Sequence, residues 1–173
     1  ASGIRWHVGD FREVIGSLPD SCFDAIITDP PYGQTSLEWD VWPRGWPDQV
    51  RRLLKPTGSM WVFGSLRTFT RHWSDFSEWK LSQDVVWEKH NGSGAHADRV
   101  NSVHEQAAQF YFVDWQSVFK GSVVTHDAKK RTINRSNPPR HFGEMGSAQY
   151  ASEEGGPRIM RSVIYARSQH GYA

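Results

Sequence analysis

The feature that most constrains the fold of this chain is an apolar run that stops at two consecutive prolines. The run extends from Phe23 to Ile27, and Asp29-Pro30-Pro31-Tyr32 follows it closely. Its β-branched, apolar character predicts a buried strand. Proline lacks an N–H, fixes φ and makes the preceding residue extended, so neither strand nor helix continues through the pair. We therefore expect Asp29 on a stiff turn at the carboxyl end of a strand, where open α/β sheets bind ligands.

The residues of this turn have a specific chemistry. The Asp29 carboxylate can accept a hydrogen bond from an amino group, and the Pro30 carbonyl can accept a second one. Tyr32 offers a flat ring to a planar base. Two acceptors beside a stacking ring suit the exocyclic amino group of a flipped nucleobase. The alternative interpretation is a strand that simply ends in a polyproline turn.

Asp29-Pro30-Pro31-Tyr32 resembles the catalytic motif of the amino-group DNA methyltransferases. These enzymes transfer a methyl group from S-adenosylmethionine to adenine N6 or cytosine N4. Asp in the first position favours adenine N6, because the cytosine N4 enzymes more often carry Ser there. The resemblance implies that all four residues are catalytic, that S-adenosylmethionine is the cofactor and that double-stranded DNA is the substrate.

The stretch before the motif also resembles this family. Residues 4–8 alternate and predict a short strand, and residues 11–18 predict an amphipathic helix with Asp10 as its N-cap. The resemblance implies that Asp10, Phe11 and Asp29 contact the cofactor. Helix capping is the structural alternative for Asp10, and the two roles are compatible.

Residues 34–47 form a long predicted loop that carries several tryptophans among Asp, Pro and Gly. These rings could contact DNA, but we favour a small satellite cluster folded back on the protein.

Two later segments also match the family. Lys55-Pro56-Thr57-Gly58 predicts a turn, and Trp87-Glu88-Lys89 precedes a polar loop at 90–94. His104 and Glu105 have no second His or Cys at ligand spacing, so we predict no metal site. We predict helices at 46–54 and 66–79, and strands at 59–63, 81–89, 106–113 and 158–166.

Length and composition bound the class of protein. The chain has 173 residues, enough for one domain with a core. Cys22 is the only cysteine and cannot form an internal disulfide, which favours an intracellular, reducing compartment. The resemblance implies a cytoplasmic protein that is bacterial or phage-encoded. No apolar run approaches 18 residues, so we predict no membrane span.

Positive charge is concentrated in the second part of the chain. Residues 114–173 hold nine Lys and Arg against five Asp and Glu, whereas residues 1–113 hold eleven against fourteen. This asymmetry favours a polyanion as partner, with a solvated basic surface or a flexible basic loop as the alternative. The resemblance places the target-recognition region after the last core strand. The predicted DNA-binding residues there are Lys129, Lys130, Arg131, Arg135 and Arg140.

We predict an α/β, Rossmann-like S-adenosylmethionine-dependent methyltransferase fold with a target-recognition insert. The expected regions are a catalytic half at 1–113, target recognition at 114–165 and the start of the cofactor-binding half at 166–173. In the family that half carries a Phe-x-Gly-x-Gly motif, which this sequence lacks. We therefore expect an incomplete fold, with the strand at 4–8 deprived of its neighbours and a further C-terminal segment as an intramolecular partner.

The sequence predicts a site-specific DNA methyltransferase that modifies adenine N6. Three alternatives stay open. One is cytosine N4 methylation, and another is methylation of RNA or of a protein glutamine. The third is a DNA-binding protein without catalysis. A homodimer is also open.

Overall fold

The computed structural model describes residues 3–93, 97–135 and 148–167. The chain divides into two compact units. The first comprises Ala1–Phe119 with Ser162–Ala173, and the second comprises Lys120–Arg161. The strands of the two units are β1 (Phe23–Thr28), β2 (Leu54–Gly64), β3 (Lys80–Ser93), β4 (Ser102–Tyr111), β5 (Val124–Thr125), β6 (Arg131–Arg135), β7 (Ala148–Ser152), β8 (Arg158–Ile159) and β9 (Val163–Tyr165).

The first unit is built on a mixed five-stranded sheet in the order β1-β2-β4-β3-β9. β1 and β2 are parallel, β4 is antiparallel to both of its neighbours, and β3 is parallel to β9. The parallel register of Thr28 with Val62 places the residue after β1 at the same sheet edge as Gly64 and Ser65. The α/β architecture therefore brings the motif close to Ser65, which directly precedes the helix that follows β2. The motif lies at the carboxyl end of a strand, as the sequence predicts.

Three short helices accompany the sheet: α1 (Phe11–Gly16), α2 (Trp46–Arg51) and α3 (Leu66–His72). Asp10 caps α1 by accepting a hydrogen bond from Arg12 N, which confirms its predicted capping role. Ser65 caps α3 in the same way through Thr68 N. The helix predicted at 66–79 is shorter than expected, because a 3₁₀ turn at Trp73–Phe76 follows α3.

Aromatic side chains dominate the core. Phe76 stacks on Phe110 of β4 at 4.5 Å between ring centres, so the 3₁₀ turn lies directly on the sheet. Trp42 and Trp46 belong to the main core rather than to the predicted satellite cluster, whereas Trp39 is exposed. The buried core cluster consists of Trp42, Trp46, Val50, Leu54, Met60, Val62, Phe69, Phe76, Trp79, Ala108 and Phe110.

The strand before the motif is present, but the prediction that it is buried is wrong. Ile27 is 71% exposed and Phe23 is 38% exposed, while Ile26 packs against the core. β1 is the edge strand of the sheet and pairs with β2 alone among the described residues. Its apolar sequence therefore faces the core on one side only.

The prediction of a strand at residues 4–8 is also wrong. The segment has no regular structure, and Ile4, Trp6 and Val8 are 82%, 84% and 98% exposed. A strand needs a partner for its backbone N–H and C=O groups. Within the described part of the chain, residues 4–8 have no neighbouring strand to pair with. Their alternating apolar pattern therefore does not lead to a strand.

The predicted turn at residues 55–58 lies inside β2 as an irregularity. Phe23 pairs with Leu54 but Ala25 pairs with Ser59, so the extra residues bulge out of the ladder. Gly58 allows this close approach, because a Cβ there would lie 2.6 Å from the Asp24 carbonyl oxygen. The helix predicted at 46–54 ends at Arg51, because Leu54 already begins β2.

β3 and β4 are longer than the predicted strands. β3 continues to Ser93 through most of the predicted polar loop, whose Gly94 lies outside the described residues. β4 begins at Ser102 and includes His104 and Glu105. The strand predicted at 158–166 is instead two short strands, β8 in the second unit and β9 in the sheet.

The described residues of the second unit, 120–135 and 148–161, form two small antiparallel ribbons. β5 pairs with β8, and β6 pairs with β7 over five residue pairs. Asp127 and Arg158 form a bidentate ion pair next to the first ribbon, with N–O distances of 2.7 and 2.6 Å. Among the described residues, no helix is long and apolar enough to cross a membrane.

Candidate active site

The motif forms a compact turn at the carboxyl end of β1. Asp29 is exposed, Pro30 is buried and Tyr32 is half-buried. The Tyr32 hydroxyl donates a 2.6 Å hydrogen bond to Asp29 Oδ1. Within the described residues Asp29 Oδ2 accepts no hydrogen bond, so this carboxylate has an oxygen available for an incoming N–H group.

The environment of Tyr32 keeps its hydroxyl protonated. Burial raises the pKa of Tyr32 well above its ordinary value, and the hydrogen bond to Asp29 raises it further. The negative charges of Asp29 and Glu105 act in the same direction. Tyr32 is therefore a hydrogen-bond donor to Asp29 throughout the physiological pH range.

Asp40 organises the loop that follows the motif. Its carboxylate accepts hydrogen bonds from the backbone N–H groups of Gly33, Gln34 and Thr35 at 2.8, 2.8 and 2.6 Å. Hydrogen bonds from the Thr35 side chain and these N–H groups lower the pKa of Asp40 to about 2. Gly33 has φ of 65°, a left-handed conformation that favours glycine. The backbone after Tyr32 is thus wrapped around one buried carboxylate.

This loop is also tied to the start of α3. Gln34 Nε2 donates to Ser65 Oγ and to Thr68 Oγ1, each at 2.8 Å. Arg71 Nη1 approaches the Gly33 carbonyl oxygen at 3.4 Å. These contacts connect the motif to an element that packs on β2. These contacts hold the downstream end of the turn, and its upstream end continues from β1, which pairs with β2.

Trp42 attaches the loop after the motif to the core of the first unit. Its ring stacks on His72 at 4.4 Å between centres, and its Nε1 donates a 2.7 Å hydrogen bond to Asp75. Burial lowers the pKa of His72, which keeps the imidazole neutral against the ring. Sequence reasoning missed the anchoring roles of Asp40, Gln34 and Trp42. Gln34 and Trp42 bond to side chains that are distant in sequence. Asp40 bonds to backbone N–H groups of its own loop, and no turn motif in the sequence marks that contact.

An ion pair that is about three-quarters buried lies near the same end of the sheet. Lys89 of β3 contacts the Glu105 carboxylate of β4, and the two side chains are 26% and 24% exposed. Lys89 Nζ also lies 5.4 Å from the centre of the Trp87 ring, within cation–π range. The family-like segment Trp87-Glu88-Lys89 and the pair His104-Glu105 are separate in the sequence, and the β3–β4 register brings them together.

The predicted cofactor residues Asp10 and Phe11 lie at the start of α1. Asp10 accepts hydrogen bonds from Arg12 N, Nε and Nη2 at 2.9, 3.0 and 2.6 Å. The side-chain hydrogen bond from Arg12 is the main cause that lowers the pKa of Asp10 to about 2. Phe11 is 37% exposed. Asp10 and Asp29 thus bond to different partners, and the cofactor role of Asp10 and Phe11 stays a prediction.

The predicted DNA-binding residues belong to the second unit. Lys129 and Lys130 precede β6, Arg131 begins it and Arg135 ends it, while Arg140 lies outside the described residues. Lys130 Nζ is 3.8 Å from Glu153, and both side chains are more than 70% exposed. In the described part of the chain, no group of three or more His, Cys, Asp or Glu is arranged to hold a metal ion.

The site can be compared with known proteins at this point. A family model for N6 and N4 methyltransferases, described as DNA methylase, matches residues 23–158. The chain belongs to this DNA methylase family. The match covers the motif, the whole β1–β4 sheet and most of the second unit.

A curated relative of this chain is the type II methyltransferase M.HinfI of Haemophilus influenzae. The two are 28% identical over 111 residues, which cover 48% of this chain and 31% of M.HinfI. The chain therefore spans about a third of the length of this relative.

Two solved structures of methyltransferases are similar to this chain to different degrees. The PvuII DNA methyltransferase, which is cytosine-N4-specific, is 14% identical with a TM-score of 0.57 over 96% of this chain and 58% of that one. The M1.HpyAVI–SAM complex is 25% identical with a TM-score of 0.44 over 62% of this chain and 56% of that one. The likeness to the PvuII enzyme confirms the predicted S-adenosylmethionine-dependent methyltransferase fold.

Proposed function

We propose that this DNA methylase transfers a methyl group from S-adenosylmethionine to adenine N6 in double-stranded DNA. The observation that supports this best is the turn after β1. There the described residues leave one oxygen of the exposed Asp29 carboxylate without a hydrogen bond, and the half-buried Tyr32 is bonded to the other. The carbonyl of the next residue, Pro30, is the second acceptor in the proposal. An exocyclic amino group has two N–H donors, which match these two acceptors, and a base flipped out of the duplex can reach them.

In this mechanism the protein acts mainly by positioning. Asp29 and the Pro30 carbonyl accept the two N–H groups of the target, which directs the nitrogen lone pair toward the methyl donor. Tyr32 orients Asp29 through its hydrogen bond and offers its ring to the base. S-adenosylmethionine supplies an electrophilic methyl group when it is bound. As the nitrogen gains positive charge, the adjacent Asp29 carboxylate stabilises it.

The described residues are better suited to bind the target amino group than to bind S-adenosylmethionine. The Asp29 carboxylate is exposed and has an oxygen available. Asp10 has both oxygens engaged by Arg12, and Phe11 is partly exposed, so these two residues do not enclose a nucleoside by themselves. In the proposal Asp10 and Phe11 contribute to a cofactor site that further residues complete.

The test is incubation of the full-length protein with duplex DNA and labelled S-adenosylmethionine, followed by nucleoside analysis. We expect N6-methyladenine. Asp29→Ala should reduce its formation by at least about 100-fold, because the oriented acceptor is lost, and DNA binding should persist. Asp24→Ala is the matched control, since Asp24 lies on β1, the strand that precedes Asp29, and its side chain is 81% exposed in a surface ion pair. Full methylation by Asp29→Ala would overturn the role of Asp29.

Cytosine N4 is the second candidate, because its amino group presents the same two donors to Asp29 and Pro30. The same digest separates the two products, since N4-methylcytosine and N6-methyladenine differ in retention and mass. If the protein binds DNA and forms neither product, the non-catalytic DNA-binding alternative replaces this proposal.

A further inference from the structure

The ribbon formed by β6 and β7 is exposed to solvent on both of its faces. Arg131, Thr132, Asn134, Gln149 and Tyr150 are all exposed, although they lie within paired strands. A two-stranded ribbon buries little surface by itself and is at best marginally stable in water. Such a ribbon can gain its missing contacts from a partner that covers it.

One face of this ribbon carries small and amide side chains without charge. Asn134 is directly opposite Gln149, and Thr132 is directly opposite Ala151. Because side chains alternate along a strand, these four residues share one face. Arg131, Ile133, Tyr150 and Ser152 share the other.

The uncharged face matches the chemistry of base edges in duplex DNA. Asn and Gln form bidentate hydrogen bonds with adenine N6 and N7, and Thr and Ala methyl groups contact the thymine methyl. The major groove is wide enough for a two-stranded ribbon. The unit that carries the ribbon, residues 120–161, holds eight Lys and Arg against four Asp and Glu. It is thus complementary to the phosphate backbone.

We propose that the β6–β7 ribbon enters the major groove of duplex DNA and that Asn134 and Gln149 contact adenine edges, which sets the recognition sequence. This inference rests on the proposed function for the choice of DNA as partner. It assigns base contacts to two uncharged residues, whereas the basic residues around them contact phosphates. Positioning on the backbone and discrimination between bases then reside in different side chains.

The first test measures binding of the full-length protein to a pool of randomised duplexes, so it does not depend on methylation. We expect the wild type to select an adenine-containing sequence. Asn134→Ala and Gln149→Ala should each reduce that preference by about 10- to 100-fold, the range for a bidentate base contact. Their affinity for unselected duplex should change little. Gln49→Ala is the control, because Gln49 is an exposed amide on α2.

A second variant distinguishes the loss of a base contact from unfolding of the ribbon. Asn134→Arg should create a preference for guanine at one position of the selected sequence, since Arg pairs with guanine O6 and N7. A new preference cannot arise from lost structure. If all variants retain the wild-type preference, or if the wild type prefers single strands or selects no sequence, the ribbon proposal is overturned, whatever the methylation assay gives. Selective binding without methylation would instead overturn the proposed function alone.

Discussion

Asp40 shows how a single residue can fix the geometry of the proposed active site from outside the motif. Its carboxylate accepts three consecutive backbone N–H groups directly after Tyr32. An ionised carboxylate has lone pairs enough for all three donors. An amide at this position would turn an N–H group toward at least one of them.

Asp40→Asn should therefore loosen the turn and reduce methylation by about 10- to 100-fold, since small misplacements of reacting groups are that costly. The measurement is the methylation rate at saturating DNA, together with thermal unfolding, which should occur at a lower temperature. Glu38→Gln is the control, because Glu38 is an exposed carboxylate in the same loop. Equal activity of the two variants would contradict the role of Asp40.

The same carboxylate implies a pH dependence of stability. Its pKa is lowered from 3.8 to about 2 in the folded protein, so the unfolded state binds more protons between these values. The stabilisation is complete above pH 4 and is lost as the pH falls toward 2. The stability difference between the wild type and Asp40→Asn should shrink over the same range.

Among the helices, strands and turns, the features that depend on residues adjacent in sequence could be predicted from the sequence. The cap at Asp10, the stop at Pro30 and the turn at residues 55–58 are local effects, and the structure contains each of them in some form. Burial of β1 and strand formation at residues 4–8 depend on distant strands, and both predictions were wrong. The same reason explains why the contacts of Gln34 with Ser65 and Thr68 were not visible in the sequence, although the motif was. The Asp40 contacts are local, but no turn motif in the sequence marks them.

The β3–β4 pair contains an ion pair whose effect on stability can be separated from that of surface charges. Lys89 and Glu105 are about three-quarters buried, whereas Lys130 and Glu153 are about three-quarters exposed. Removing one partner of a partly buried pair leaves an uncompensated charge, but exposed pairs contribute little.

We therefore expect Glu105→Gln to reduce the free energy of unfolding by about 1–3 kcal/mol. The measurement is urea unfolding at pH 7, and Glu153→Gln should change the value by less than about 0.5 kcal/mol. A Lys89→Met, Glu105→Gln double variant should recover part of the loss, because no lone charge is left. A loss as small as that of Glu153→Gln would show that the Lys89–Glu105 contact does not stabilise the sheet.

The distribution of charge over the whole molecule predicts which part of it responds to salt. Residues 120–161 hold eight Lys and Arg against four acidic residues, and the remaining residues hold twelve against fifteen. Each phosphate neutralised by Lys or Arg adds about 0.9 to the slope of log affinity against log salt. The second unit should therefore account for most of that slope.

Lys129→Ala with Arg131→Ala should lower the slope by about 1–2 and weaken binding to all duplexes alike, because phosphates carry no sequence information. The control is the double variant Lys55→Gln, Lys80→Gln. It removes two cations from the end of the sheet opposite to the one where Asp29 lies. Binding is measured from 50 to 300 mM salt. If the control pair lowers the slope as much, the salt response comes from the overall charge, and the second unit has no special share in DNA binding.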